Sequence, residues 1–238
     1  MAMSPTTVPI AGTPAEARRL GFAADGAECF PDAARPLLDE LLRLVSDIAA
    51  DRPGVRLAER PPLAAKLAAG GPIGAIAARL AGGAVHPVRA VLFDKTPNAN
   101  WALGWHQDRT ICVRQRIDVP GFGPWTIKGG MLHVEPPFAL LARMITLRIH
   151  LDDVPATNAP LLIAPGSHRL GRIEIGQIAS VVERSGTAAC LAGAGDIWAY
   201  STPIVHASDR AAEPMRRRVL QVDYSPDPLP GGLVWQGI

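Results

Sequence analysis

Residues 144–151 read MITLRIHL, and this stretch decides the fold. Ile145, Leu147, Ile149 and Leu151 fall on one side of an extended chain, and Thr146, Arg148 and His150 on the other. Such alternation predicts a β-strand with one apolar face, because successive side chains point to opposite sides of a sheet. Neighbouring stretches share the texture. PVRAVLF (87–93), RTICVRQRIDV (109–119), GDIWAY (195–200, a turn entering a strand) and RRVLQVDYS (217–225) all read as strands. Short strands separated by Gly and Pro turns, with few helices between them, point to a barrel or sandwich.

Upstream the period changes. Leu37, Leu41, Val45 and Ile48 recur at helical spacing, and Leu38 and Leu42 widen the stripe. Asp32 is the candidate N-cap, and DRPG at 51–54 the candidate stop. A second Ala/Leu-rich region covers about 63–69 and 73–81. The expectation is one domain over 1–238: helical support over about 1–86 packed against the sheet, and a β core over about 87–226. The segment 119–137, VPGFGPWTIKGGMLHVEPP, is long and turn-rich enough to serve as a lid loop.

Composition narrows the function. Hydrophobic residues make up 48% and charged residues 19%, which supplies a core and argues against global disorder. A net charge of +2 is too small to argue for a nucleic-acid or anionic-membrane partner. FALLARMITLRIHL is interrupted by arginines and is no membrane span. MAMSPTTVPIAGTP lacks the basic start and apolar run of a secretory signal. Cys29, Cys112 and Cys190 are odd in number and far apart, so buried thiols in a reducing cytoplasm are expected.

The chemistry concentrates in GWHQD (104–108) and TPIVHAS (202–208). On an extended segment, His106 and Asp108 project to the same face and can reach one point. His206, returning on a later strand, would complete two imidazoles and one carboxylate on one face of a metal ion. Three positions then stay open, the arrangement of non-heme Fe(II) oxygenases. The spacing alone is common, so the wider context carries the reading.

That context is an ordered series: KTPNANWALGWHQD, LRIHLDDVPATNAPLLIAPGSHRLG, GDIWAYSTPIVHAS and RRRVLQVDYS. From about 88 to 226 it resembles the phytanoyl-CoA dioxygenase family of Fe(II)- and 2-oxoglutarate-dependent oxygenases. The resemblance implies a mainly β fold, a double-stranded β-helix of jelly-roll or cupin-like type. It implies Fe(II) held by His106, Asp108 and His206, with 2-oxoglutarate and O2 as co-substrates. It also implies an arginine gripping the far carboxylate of 2-oxoglutarate. Arg217, eleven residues after His206, is the choice; strand alternation sends Arg216 and Arg218 to the other face. Ser208 is the hydroxyl expected to assist the same carboxylate. Lys95 and Asn100 either touch the co-substrate or cap turns. His168, in PGSH, reads as a turn residue rather than a ligand. Asp108 disfavours halogenation, since related halogenases carry a small residue at that position.

One departure stands out. Many relatives have Gly where this chain has Ala159, between Asn158 and Pro160, at a position that needs a left-handed backbone. For substrate contacts the expected set is Arg109, Arg114, Trp125, His133 and Glu135, and its arginines suit an anionic small molecule. The leading expectation is hydroxylation of a small metabolite. Two other readings share the triad: a cupin-type isomerase or zinc hydrolase that ignores 2-oxoglutarate, and a non-catalytic 2-oxoglutarate-binding protein.

Overall fold

The computed structural model describes residues 19–48 and 54–238. The strands are β1 (Ala27–Phe30), β2 (Val55–Leu57), β3 (His86–Lys95), β4 (Leu103–His106), β5 (Ile111–Val113), β6 (Trp125–Lys128) and β7 (Met131–Val134), followed by β8 (Ile145–His150), β9 (Leu161–Ile163), β10 (Ala188–Cys190), β11 (Ile197–Ser201), β12 (His206–Ser208) and β13 (Arg217–Ser225). They form a six-stranded sheet β1-β11-β8-β13-β3-β2, a four-stranded sheet β10-β9-β12-β4 and a three-stranded sheet β5-β7-β6. All named pairings are antiparallel. The fold is a mainly β jelly-roll whose two larger sheets do not close into one barrel.

β8 lies inside the large sheet, and its alternation has a clear physical basis. Ile145, Leu147 and Ile149 pack with Leu41, Leu63 and Leu67 from the N-terminal helices. Each such burial contributes about 1.5–3 kcal/mol. Thr146, Arg148 and His150, on the other face, are buried as well. The polar face of this strand therefore meets the interior between the sheets, not water.

The N-terminal region is less purely helical than expected. Helices α1 (Pro61–Leu67) and α2 (Gly74–Ala81) match the Ala/Leu-rich region. The same region also supplies β1 and β2, the two edge strands of the large sheet. The helix bearing Leu41 spans only Leu38–Leu44, and Ile48 lies beyond it. Asp32 is not its cap. It sits at φ 54, and its backbone N–H donates to Asp196 Oδ1 at 2.9 Å. A 3-10 turn with Pro36 at its start separates it from the helix. Most of the proposed stop at 51–54 lies outside the described residues.

Two further expectations are corrected. RTICVRQRIDV forms a strand only over Ile111–Val113. The expected lid loop 119–137 contains the β6–β7 hairpin, paired in turn to β5. Its tip, Gly129-Gly130, has φ 57 and 77. Left-handed backbone at both central residues is what a two-residue type I′ turn needs, and glycine adopts it without a steric penalty.

Candidate metal centre

β4 and β12 are neighbours in the four-stranded sheet, and His106 stands directly opposite His206. Cross-strand partners project to the same face, and the two rings lie 4.3 Å apart between centroids. Asp108 follows β4 by two residues. The ligand atoms of His106, Asp108 and His206 all lie within 4.8 Å of one another, the one such set among the described residues. His106 Nε2 and Asp108 Oδ1 are 3.9 Å apart.

The donors suit a metal ion. His106 Nδ1 bonds the Gly104 carbonyl at 2.7 Å, and His206 Nδ1 the Ile204 carbonyl at 2.9 Å. A carbonyl only accepts, so both Nδ1 atoms carry the hydrogen and both Nε2 lone pairs face the site. Burial pushes His206 down to about 4, so it is neutral at pH 7. Burial alone would push the Asp108 carboxyl up; His206, Arg89 and His106 outweigh it and hold the group below its usual value. Metal bonds of about 2.0–2.2 Å place adjacent donors roughly 3 Å apart. The observed separations, all within 4.8 Å, are of that order.

The set opens into a cavity of about 370 Å³ between the two larger sheets, the size of a small-molecule site. At its closed end lie Lys95, Arg148, Ser208, Arg217 and Gln221. Arg217 is 2% exposed. Its Nη1 donates to the Ala159 carbonyl, and its Nε has no partner. Arg148 Nη1 donates to Gln221 Oε1 at 3.0 Å, while its Nε is also unpartnered, as are both ring nitrogens of His150. Burial, then the charge of Arg148, pulls Arg217 down to about 9. Lys95 Nζ donates to Ser208 Oγ at 3.2 Å and to the Asp209 carbonyl at 2.7 Å. Burial, then Arg217 and Arg148, pulls it down to about 7. Buried cations with unused donors are costly unless an anion meets them. The dianion 2-oxoglutarate fits this end.

Strand alternation sorts the three arginines as expected. Arg217 turns inward; Arg216 pairs with Asp94 at 2.9 Å and Arg218 with Asp152 at 2.7 Å. Ala159 does adopt the left-handed backbone, at φ 50. The Asn100 side chain donates to the Ala211 carbonyl at 3.0 Å and accepts from the Ala211 N–H at 2.8 Å, as a cap does.

The five expected substrate residues do not line the cavity. Arg109 donates to the Ile173 carbonyl. Arg114 is exposed. Trp125 lies under Arg116, 5.5 Å from ring to guanidinium. Glu135 pairs with Arg172 at 2.8 Å. His133 is buried behind Arg56. Sequence distance from the metal pair was a poor guide because β5, β6 and β7 form a separate sheet beside it. One wall of the cavity comes instead from β3, where Arg89, Val91, Phe93 and Lys95 share a face. Period-2 alternation from Lys95 would have found them. Arg89 joins the metal site itself, at 2.5 Å from Asp223 and 3.6 Å from Asp108.

A jelly-roll with a facial His/Asp/His set and a cationic blind end defines a non-heme iron, keto-acid type of oxygenase. The comparisons make this specific: residues 73–219 match the family model for phytanoyl-CoA dioxygenase, and the chain belongs to that family, which uses Fe(II), 2-oxoglutarate and O2. No curated protein matches the chain significantly. Among solved structures, AviO1 from Streptomyces viridochromogenes Tue57 is 22% identical, covering 88% of this chain and 93% of its own, with a TM-score of 0.57. The epimerase SnoN, solved with Fe3+, alpha ketoglutarate and nogalamycin RO, is 18% identical over 92% of each chain, TM-score 0.61. EctD from S. alaskensis, solved with 2-oxoglutarate and 5-hydroxyectoine, is 17% identical over 93% of this chain and 79% of its own, TM-score 0.60. At these identities the likeness speaks for the fold. Among the described residues no helix is long and apolar enough to cross a membrane.

Proposed function

We propose that this chain is a hydroxylase: it inserts one oxygen atom of O2 into a C–H bond of a small metabolite, while 2-oxoglutarate becomes succinate and CO2. The carrying observation is one cavity joining a three-donor metal set to a buried, anion-seeking end. Fe(II) held by His106, Asp108 and His206 would supply the oxidising chemistry. Arg217, helped by Ser208 and Lys95, orients the far carboxylate so that the keto-acid end points to the metal set. The sheet walls exclude water, and the apolar Val91, Phe93 and Leu161 leave space beside the site for substrate.

One observation favours hydroxylation over halogenation. Asp108 occupies the position that a halide would need. We assign the whole chain to one oxygenase domain. Buried thiols at Cys112 and Cys190 favour a reducing, cytoplasmic setting.

The test has two stages. Anaerobic Fe(II) plus 2-oxoglutarate should give a weak visible charge-transfer band. Oxygen should then release succinate, faster in the presence of a true substrate, with a product heavier by one oxygen. A protein that binds Fe(II) but gives no band refutes the 2-oxoglutarate assignment. Turnover to a product of unchanged mass refutes hydroxylation.

A further inference from the structure

The mouth of the cavity carries a second cationic device, distinct from the blind end. Arg56 on β2 lines the cavity, close enough to Arg89 and Asp108 for their charges to act on it. Its Nε donates to His133 Nε2 at 3.3 Å. His133 is fully buried, and its Nδ1 is committed to the Met131 carbonyl at 2.9 Å. That bond fixes the tautomer, leaving Nε2 as a pure acceptor. Burial pushes His133 down to about 4, which keeps it neutral. The guanidinium is thus anchored by Nε alone. Nη1 lies against the β6–β7 turn, 3.2 Å from where a Cβ on Gly129 would stand. Among the described residues no carboxylate pairs with Arg56, and its two Nη groups make no hydrogen bond.

The charge balance leaves this fork wanting a partner. Four arginines and Lys95 line the cavity, against one lining carboxylate, Asp108. Asp223 answers Arg89 from behind. A ferrous ion and a 2-oxoglutarate dianion cancel each other, so loading the site does not remove the positive surplus. Guanidinium forks match the oxygens of a carboxylate or phosphate in bidentate fashion.

We infer that the substrate is a small oxyanion, a carboxylate or a phosphate monoester, held at the cavity mouth by Arg56. This rests on the oxygenase reading above, and the experiment separates the two. Protein loaded with Ni(II), a redox-inert stand-in, is first titrated with 2-oxoglutarate by calorimetry. No binding there refutes the oxygenase reading, whatever Arg56 does. With 2-oxoglutarate saturating, a panel of carboxylic acids beside their amides, and phosphate monoesters beside their parent alcohols, is then titrated. The expected result is acids or phosphate monoesters binding at least tenfold more tightly than their neutral partners; which arm responds identifies the anion. Arg56→Gln should abolish that preference and Arg56→Lys retain part of it, with the 2-oxoglutarate affinity unchanged in both. A preference that survives Arg56→Gln, or a panel without any preference for the charged partner, overturns the inference.

Discussion

Replacing Arg217 by methionine keeps a long side chain in the wall of the blind end and removes its charge. Nε has no partner and Nη1 is spent on the Ala159 carbonyl, so Nε and Nη2 remain for an incoming carboxylate. A hydrogen bond to a charged group contributes about 1.5–3 kcal/mol, so two give roughly 3–6 kcal/mol. At 1.4 kcal/mol per decade this is about two to four powers of ten in affinity. Arg148 and Lys95 stay in place and offset part of the loss, so the expected weakening is near the lower end, about 100-fold. The assay is a 2-oxoglutarate titration of the Ni(II)-loaded protein, with circular dichroism to verify folding. A folded variant binding 2-oxoglutarate within about threefold of wild type would refute the assignment. Arg216→Met, whose parent side chain is engaged outside by Asp94, should leave the affinity unchanged.

Asp108→Ala should abolish turnover and weaken metal binding by at least about 100-fold while the far-ultraviolet spectrum stays native; undiminished nickel affinity would remove Asp108 from the donor set. Lys95 loses its proton near pH 7 in the ligand-free protein, whereas a bound dianion favours the charged form. Binding therefore takes up a proton, and 2-oxoglutarate affinity should fall as pH rises from about 7 to 9; Lys95→Met should bind more weakly and flatten that slope, and an unaltered slope would exclude Lys95 as its source. Ala159→Gly should change stability little: relief of left-handed strain, about 1–2 kcal/mol, is offset by about 0.5–1 kcal/mol of added chain entropy and about 0.8 kcal/mol for the buried methyl it removes. A large shift of the melting temperature in either direction would contradict that.

The alternation in MITLRIHL made the large sheet legible, because a strand with one face against helices must be apolar there and polar opposite. What the alternation left open was the destination of the polar face. On sequence Arg148 and His150 could line a cavity or pair with acidic neighbours, and in the structure both are buried. The candidate metal donors were legible because two of them lie two residues apart and the third lies in a matching series. The β6–β7 hairpin was hidden by its own turn chemistry: Gly129-Gly130 and the flanking prolines read as loop, although a type I′ turn uses such glycines. Arg56 was missed because β2 is only three residues long and sits outside the β core in sequence. Its partner His133 comes from a strand far along the chain.

Arg89 bears on how a metal would enter the site. Its guanidinium reaches Asp108 from β3, on the opposite sheet, and is braced by Asp223, which in turn accepts from Thr146 at 3.0 Å. A fixed cation already stands beside the carboxylate that a metal would claim. Iron entry is then a swap of counter-ions rather than the first neutralisation of a bare acid group. Chelation should strip the ion without loosening the sandwich, and the emptied protein should reload without refolding.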